Sequence, residues 1–260
     1  MTDFFHDYKS RLTYAAREAD ATWLEWARRH VPLQGAKVVD IGCGGGIYTK
    51  AMLALGAAEA TGVDFSAAML DGASQNAAGD SRARFVQGDA YATGLTDGCA
   101  EVVLERALIH HLSDLPAAFR EAYRLLAPGG MLVVQDRTPE DCLLPGSKTH
   151  LRGYFFEAFP RLASIETGRR PTADSVVTAL RGAGFADIRT EPLWETRAVH
   201  AGATELERDL LARTGRSILH ELSDEELARL TAFIVSTYGR DKAPIVEQDR
   251  WTVWTARKPR

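Results

Sequence analysis

Val38-Val39-Asp40-Ile41-Gly42-Cys43-Gly44-Gly45-Gly46-Ile47 is the stretch on which the reading of this chain turns. Val38, Val39 and Ile41 are apolar and β-branched, which suits a buried strand. That strand carries an acidic residue near its end and then bends through glycines into a segment with helical spacing. Glycines at 42, 44 and 46 permit φ > 0 and leave no Cβ between the backbone and a ligand. The helix opening after them offers unpaired N–H groups and the positive end of its dipole, a setting for an anionic group such as a carboxylate.

A glycine-rich loop after a strand also serves dinucleotides, through the pattern G-x-G-x-x-G/A. From Gly42 this chain reads Gly42-x-Gly44-x-x-Ile47, so the third small residue is missing. Asp40 would also repel a pyrophosphate. The Asp-x-Gly-x-Gly-x-Gly pattern of residues 40–46 resembles the first motif of the class I S-adenosylmethionine (SAM) dependent methyltransferases. A strand-end carboxylate suits that ligand, which carries an ammonium and a sulfonium. The resemblance implies SAM as cosubstrate and methyl transfer to a small molecule, nearest in kind to the ubiquinone and menaquinone methyltransferases. An NAD(P)-dependent oxidoreductase and a SAM-binding protein without turnover are the alternatives.

Outward from the loop, strands and helices alternate. Strands are expected at 37–41, 58–63, 83–87, 101–104 and 131–136, with helices at 47–55, 67–77 and 114–126. This βαβα rhythm implies an α/β fold with a mostly parallel sheet and helices on both faces. An N-terminal helix is expected over 8–30, and residues 138–172, rich in Pro and Gly, read as irregular. A helix over 172–181, a strand over 188–199, helices at 203–217 and 223–238, and a last strand over 250–256 complete the pattern. Ser223 followed by Glu226 is a capping box. The resemblance implies a Rossmann-like sheet of seven strands, the last antiparallel. The expected division is an N-terminal helical cap segment (1–34), a SAM-binding core (35–137) and a C-terminal part (138–260) that completes the sheet and adds a helical cap. Leu126-Ala127-Pro128-Gly129-Gly130-Met131 resembles a later motif of the family and reads as a structural turn into the fifth strand.

The other ligand contacts follow from strand ends. Asp64 ends the second strand, where a carboxylate accepts both ribose hydroxyls of an adenosine; the competing reading is a helix cap shared with Ser66. Asp89 in Gly88-Asp89-Ala90 accepts, by resemblance, from the adenine amino group, with the Ala90 N–H nearby; a turn aspartate is the alternative. Phe65 and Met69 flank the adenine or belong to the core, and Cys43 is a small packing residue of the loop. Ligands of open parallel sheets sit at the carboxyl ends of strands. That selects Glu105 and Arg106, His110 and His111, and Asp136 and Arg137. Histidine accepts a proton near neutral pH, so His110-His111 is the candidate base. Glu105 is a further catalytic candidate or an ion-pair partner of Arg106, which joins the cofactor-binding set.

The bulk numbers narrow the field. The 260 residues are 45% hydrophobic and 25% charged, with a net charge of -4, which gives no support for nucleic-acid binding. No apolar run is long enough to span a membrane, and no signal-peptide pattern opens the chain. Three scattered cysteines point to free thiols and a cytoplasmic setting, without a metal site. A monomer or homodimer is expected.

Overall fold

A computed structural model describes residues 18–238 and 244–260. Helix α1 (Ala21–His30) leads into β1 (Lys37–Ile41), α2 (Ile47–Ala54), β2 (Glu59–Asp64), α3 (Ala67–Asn76), β3 (Ala83–Gln87) and β4 (Ala100–Arg106). A 3-10 turn (Ile109–His111) precedes α4 (Leu115–Leu125) and β5 (Leu126–Asp136). Then come α5 (Pro139–Cys142), α6 (Arg152–Ala158), α7 (Arg161–Thr167), α8 (Ala173–Gly182) and β6 (Ala186–His200). Helix α9 (Ala203–Leu211), a 3-10 turn (Ser217–Glu221), α10 (Asp224–Ser236) and β7 (Ile245–Arg257) end the chain.

The seven strands form one sheet in the order β3-β2-β1-β4-β5-β7-β6. Pairs β1–β2, β2–β3, β1–β4 and β4–β5 are parallel, and β7 is antiparallel to β5. The chain works outward from β1 to β3 and then returns to the other side of β1 as β4. That reversal opens a crevice at the carboxyl ends of β1 and β4, the place where such sheets take their ligands. Register decides which side chains share a face. Ile41, Glu105, Val134 and Trp254 lie in one row across β1, β4, β5 and β7, while Asp40, Leu104 and Val133 lie in the next and point the other way.

The chain divides into two compact units. The first runs through Asp136 and includes Ala173–Pro192 and Thr252–Arg260. Its core joins Val39, Ile41, Val103, Phe119, Leu132, Val134, Leu180 and Trp254, so α4 and α8 pack on the face that carries Glu105. Lys258 closes α4 by donating from Nζ to the carbonyls of Tyr123 (2.9 Å) and Leu126 (2.7 Å), at the end where the helix dipole favours a cation. The second unit, Arg137–Thr172 with Leu193–Trp251, has its own core of Phe155, Leu162, Leu206, Leu219, Leu227 and Ile234. The sequence division at 137 keeps everything beyond it together; the structure returns α8, the start of β6 and the end of β7 to the first unit, because those pieces cover and extend the sheet.

Several elements differ from the sequence expectation. The stretch 138–172 holds three short helices rather than irregular chain. Helix α5 owes its existence to a capping box in which Thr138 and Asp141 satisfy each other's backbone N–H groups, with Pro139 at its start. Strand β5 begins at Leu126, not 131: Pro128 and both glycines lie inside it, at a register shift between Ala100 and Val102. The expected helix 203–217 stops at Leu211, and a 3-10 turn replaces its end. Residues 8–17 of the expected first helix lie outside the described residues; the described helix starts at Ala21, capped by Asp20. The expected capping box at Ser223 and Glu226 forms. No helix among the described residues is long and apolar enough to cross a membrane.

Candidate active site

The glycine loop sits at the carboxyl end of β1. Its residues hang from β2: Gly42 and Cys43 both donate to the Val63 carbonyl, at 2.7 and 3.0 Å. Gly44 donates to Asp64 Oδ2 at 2.9 Å, and Asn76 Nδ2 donates to the Gly45 carbonyl at 2.9 Å. Gly44 (φ 51°) and Gly46 (φ 74°) adopt left-handed backbone. A Cβ on Gly46 would meet Ala73 and the Phe85 ring at 3.0 Å, so glycine there lets α2 start close to the sheet. A Cβ on Gly44 would meet nothing within 4 Å, so the loop backbone faces open space at that residue. Helix α2 then begins at Gly46 with no side-chain cap, and the Thr49 backbone N–H in its first turn is directed to Asp40.

Two buried carboxyl groups flank this loop. Asp40 accepts from Thr49 Oγ1 at 2.6 Å. Burial pushes its pKa up to about 7, with neighbouring Asp64 adding repulsion; the Thr49 hydrogen bond and Arg106 act the other way. Asp64 accepts from Gly44 N and Ser66 N, each at 2.9 Å, and the Phe65 backbone N–H is also directed to it. Burial raises its pKa as well, against the pull of those N–H groups. Ser66, not Asp64, caps α3. The pair would be stabilised by a cation, and the loop beside it presents N–H groups to an anion. Residues of this kind fit the amino-acid end of SAM, which carries both charges.

The remaining sequence candidates are placed as follows. Phe65 is 53% exposed, whereas Met69 is buried in α3. Asp89 is exposed and closes a turn, accepting from Tyr91 N at 2.8 Å, with Ala90 inside that turn. The Cys43 thiol is pushed up by burial and by Asp40 and Asp64, which keeps it protonated and out of nucleophilic chemistry. Arg106 stacks on the Tyr48 ring at 4.0 Å and donates from Nε to Gln135 Oε1 at 3.1 Å. Glu105 points to the opposite face, as adjacent strand residues must. It is fully buried, neither oxygen has a hydrogen-bond partner, and burial alone pushes its pKa up to about 8. The ion pair with Arg106 suggested by adjacency does not form.

His110 and His111 sit in the 3-10 turn beyond β4. Ala107 turns the chain there in a left-handed conformation (φ 51°) while donating to the Gln135 carbonyl at 2.8 Å. The turn brings His110 onto the end of β5. Its Nδ1 lies 2.8 and 3.0 Å from the two oxygens of buried Asp136, and its backbone N–H donates to Oδ2 at 3.2 Å. The His111 ring leans on it, with centroids 3.9 Å apart. Sequence reading placed His110 and Asp136 at neighbouring strand ends but gave no sign that they pair. Nor did it mark Thr49 or Asn76, whose roles depend on where α2 and α3 pack.

Among the described residues one acidic and histidine group is close enough to hold a metal: His200, Asp209 and Glu247 in the second unit. Its carboxylates are already engaged, Glu247 by Arg216 (2.6 Å) and Arg197 (3.0 Å), and Asp209 by Arg216 (2.7 Å). Two guanidiniums against two carboxylates leave no negative charge for a cation.

Comparison with known proteins bears on the loop and sheet together. Residues 39–134, from the loop strand through β5, match the model of a methyltransferase domain. Over that stretch the chain is similar to a methyltransferase domain. The chain is 28% identical over 164 residues to a malonyl-[acyl-carrier protein] O-methyltransferase of Serratia marcescens, covering 60% of each chain. It is 27% identical over 206 residues to a ubiquinone/menaquinone biosynthesis C-methyltransferase of Dinoroseobacter shibae, covering 72% of this chain and 78% of the relative. The match thus spans only 60% of the Serratia relative's length. In fold it is similar to the Haemonchus contortus phosphoethanolamine N-methyltransferase 2 solved with SAM, with a TM-score of 0.57 and 20% identity over 92% of this chain and 52% of that one.

Proposed function

We propose that this chain is an enzyme that transfers the methyl group of SAM to a small-molecule acceptor. The observation that carries this reading is the loop at β1 and β4, with open left-handed backbone at Gly44 and two buried carboxyls, Asp40 and Asp64, whose pKa values burial raises. The cosubstrate supplies an activated methyl on a positively charged sulfur. The residues Asp40, Gly42, Cys43, Gly44, Gly46, Asp64, Phe65, Met69, Asp89, Ala90 and Arg106 form its proposed binding set. Within it, the Asp64 carboxylate accepts the ribose hydroxyls, the loop and α2 N–H groups take the carboxylate, and Asp40 faces the ammonium. Phe65, which is exposed, is proposed to cover the adenine.

Catalysis then rests mainly on holding the acceptor in line with the methyl group and excluding water. His110 and His111 are the proposed residues for proton removal. Glu105, neutral and enclosed, is proposed as a core acid with no contact to the reacting atoms. The acceptor is proposed as a metabolite rather than a nucleic acid, in keeping with the net charge of -4, and the setting as cytoplasmic.

Thermal and calorimetric titration tests the reading. SAM or its demethylated product at a hundredfold over Kd should stabilise the protein by about 2.7 kcal/mol. Asp64→Ala should weaken that binding by about 10- to 100-fold, the loss of a charge-assisted acceptor. Stabilisation by NAD(P) with none from SAM would replace methyl transfer with hydride transfer. SAM binding without product across a broad acceptor panel would leave a binding protein.

A further inference from the structure

We propose that the second unit holds an anion-recognition site built on His150 and Arg137, and that the methyl acceptor carries a carboxylate that binds there. The inference deepens the methyl-transfer reading and rests on it for the reaction; the site itself is a property of the second unit alone.

His150 stands just before α6, its backbone N–H donating to Ser147 Oγ at 3.0 Å. Its Nδ1 lies 3.2 Å from the Pro145 carbonyl. A carbonyl oxygen only accepts, so Nδ1 carries the proton in that bond, and Nε2 is the bare nitrogen of the neutral ring. His150 is 2% exposed, and Nε2 has no hydrogen-bond partner. Burial lowers its pKa, and Arg152 and Arg137 act the same way; the Pro145 bond and Asp249 act against them. A buried polar atom left unmatched is costly, so such an atom marks a place where something else is received.

The surroundings select the ligand. Asp249 is shared by Arg137 (2.6 Å) and Arg152 (3.4 Å). At Arg137 burial, with repulsion from Arg152 and Arg170, outweighs the attraction of Asp249, so a further negative charge there is favourable. An ammonium group would be repelled by the same guanidiniums. A hydroxyl would match the bare Nε2 and answer no charge. A carboxylate answers both groups: its charge offsets the repulsion at Arg137, and an oxygen accepts from Nε2 once the ring has taken a proton from solvent. Two indoles suit a flat apolar body on that ligand. Trp251 lies under the Arg137 guanidinium at 3.9 Å, and Trp194 stands edge-on to the imidazole at 5.6 Å. Trp194 is 39% exposed, so the cluster reaches the surface of the unit at that ring.

The full chain, free of SAM, is titrated with benzoate and with acetate, and benzamide is the uncharged control. Nitrogen-15 NMR of the wild-type imidazoles should show His150 bare at Nε2 without ligand, and protonated at both nitrogens at pH 6.5 with either carboxylate bound. Calorimetry in two buffers of different ionisation enthalpy should approach one proton taken up per carboxylate near pH 6.5. Affinity should fall by up to about tenfold per pH unit above that, because the bound form holds the extra proton. His150→Gln should abolish the proton uptake and weaken benzoate by about tenfold or more. No response of His150 to either carboxylate, an equal response to benzamide, or a crystal soaked in benzoate with only an ordered water at Nε2, each overturns the site. Should His150→Gln fail to fold, the wild-type NMR decides alone. With methyl-labelled SAM, an acid that accepts label should lose at least about tenfold in kcat/KM as its carboxamide, mostly through KM, and His150→Gln should erase that preference. Label on neutral compounds as readily as on their acids overturns the acceptor assignment. A chain that takes benzoate at His150 but does not bind SAM defeats the methyl-transfer reading instead, and the site stands.

Discussion

Asp40, Asp64 and Glu105 in the first unit are buried about as deeply as Glu166, Glu247 and Asp249 in the second, but the two sets hold their protons in opposite ways. In the first unit burial wins. Asp40 rises to about 7 and Glu105 to about 8, and Asp64 also rises. In the second unit burial pushes the same way and is overcome. Glu247 falls to about 2 because His200, Arg216 and Arg197 face it. Asp249 falls well below the carboxylate range under Arg137 and Arg152, and Glu166 falls under Arg152, Arg170 and Arg169. The second unit has closed its electrostatics with its own arginines. In the first, hydrogen bonds and, at Asp40, Arg106 offset burial only in part, and two of the three carboxyls stand at the loop where a cationic ligand is proposed. A buried charge is tolerated only with a partner, so the shortfall is itself information about what binds.

The largest expected effect comes from breaking the closed set. Asp249 accepts from Arg137 Nη2 at 2.6 Å and from Arg152 Nε at 3.4 Å. Arg137 also stacks on Trp251 at 3.9 Å, and burial pulls its pKa down to about 10. Asp249→Leu would remove the carboxylate shared by two buried guanidiniums, at a cost of about 3–5 kcal/mol. Urea denaturation measures it; a loss below about 1 kcal/mol would mean that the arginines find other acceptors and that the unit is not closed in the sense argued. Acid should act on the same set. Carboxylates with depressed pKa stabilise the fold above their unfolded values near ~4 and lose that contribution as pH falls through their folded values. Amide exchange in the second unit should therefore accelerate from about pH 4.5 downward toward pH 2.

Glu105 gives the next effect, with the opposite sign. Its folded pKa, about 8, lies above the ordinary value of 4.5, so the folded chain holds a proton that the unfolded chain releases. Stability contributed by that proton is present at low pH and lost as pH rises between about 4.5 and 8. Glu105→Gln keeps the shape and has no proton to lose. The variant should match the wild type near pH 5 and exceed it by on the order of 2–3 kcal/mol at pH 9. Equal denaturation curves at both pH values would show that Glu105 finds a partner in solution, and the contrast between the units would weaken by one member.

These contrasts also mark where the sequence was legible. The loop, the first five strands and the place of Asp40 and Asp64 follow from local rules: β-branched runs, glycines after a strand, and an acid at a strand end. Seven strands with an antiparallel last one came from the family resemblance. The second unit was read poorly because its helices are short and its interior is held by ion pairs between residues far apart in sequence, such as Arg152 with Asp249, 97 residues apart. Neither hydrophobic periodicity nor composition encodes such pairs. The same holds for His110 and Asp136, 26 residues apart, whose meeting depends on the left-handed turn at Ala107. Alanine gives no hint of that conformation, which a glycine would have advertised.

The smallest effect is the sharpest test of the open set. If Asp40 faces the ammonium of SAM, the ligand adds a cation to the weak pull of Arg106, and the carboxyl must ionise as the ligand arrives. With a free-protein pKa of about 7, Asp40 is largely protonated at pH 6 and ionised at pH 8. A cation favours the ionised form, so the bound-state pKa lies lower and binding releases protons below pH 7. Affinity should fall by at most about tenfold per pH unit as pH drops from 7, and should be level above about pH 8. Calorimetry in two buffers of different ionisation enthalpy counts the protons directly: approaching one released per ligand near pH 6, and none near pH 8.5. Asp40→Asn should bind SAM more weakly at pH 8 and lose the pH dependence contributed by Asp40. Proton release that persists in Asp40→Asn would move the effect to Asp64, the other carboxyl raised by burial. No proton release in either protein would mean that the cation lands elsewhere, and that the first unit's raised carboxyls are not there for the ligand.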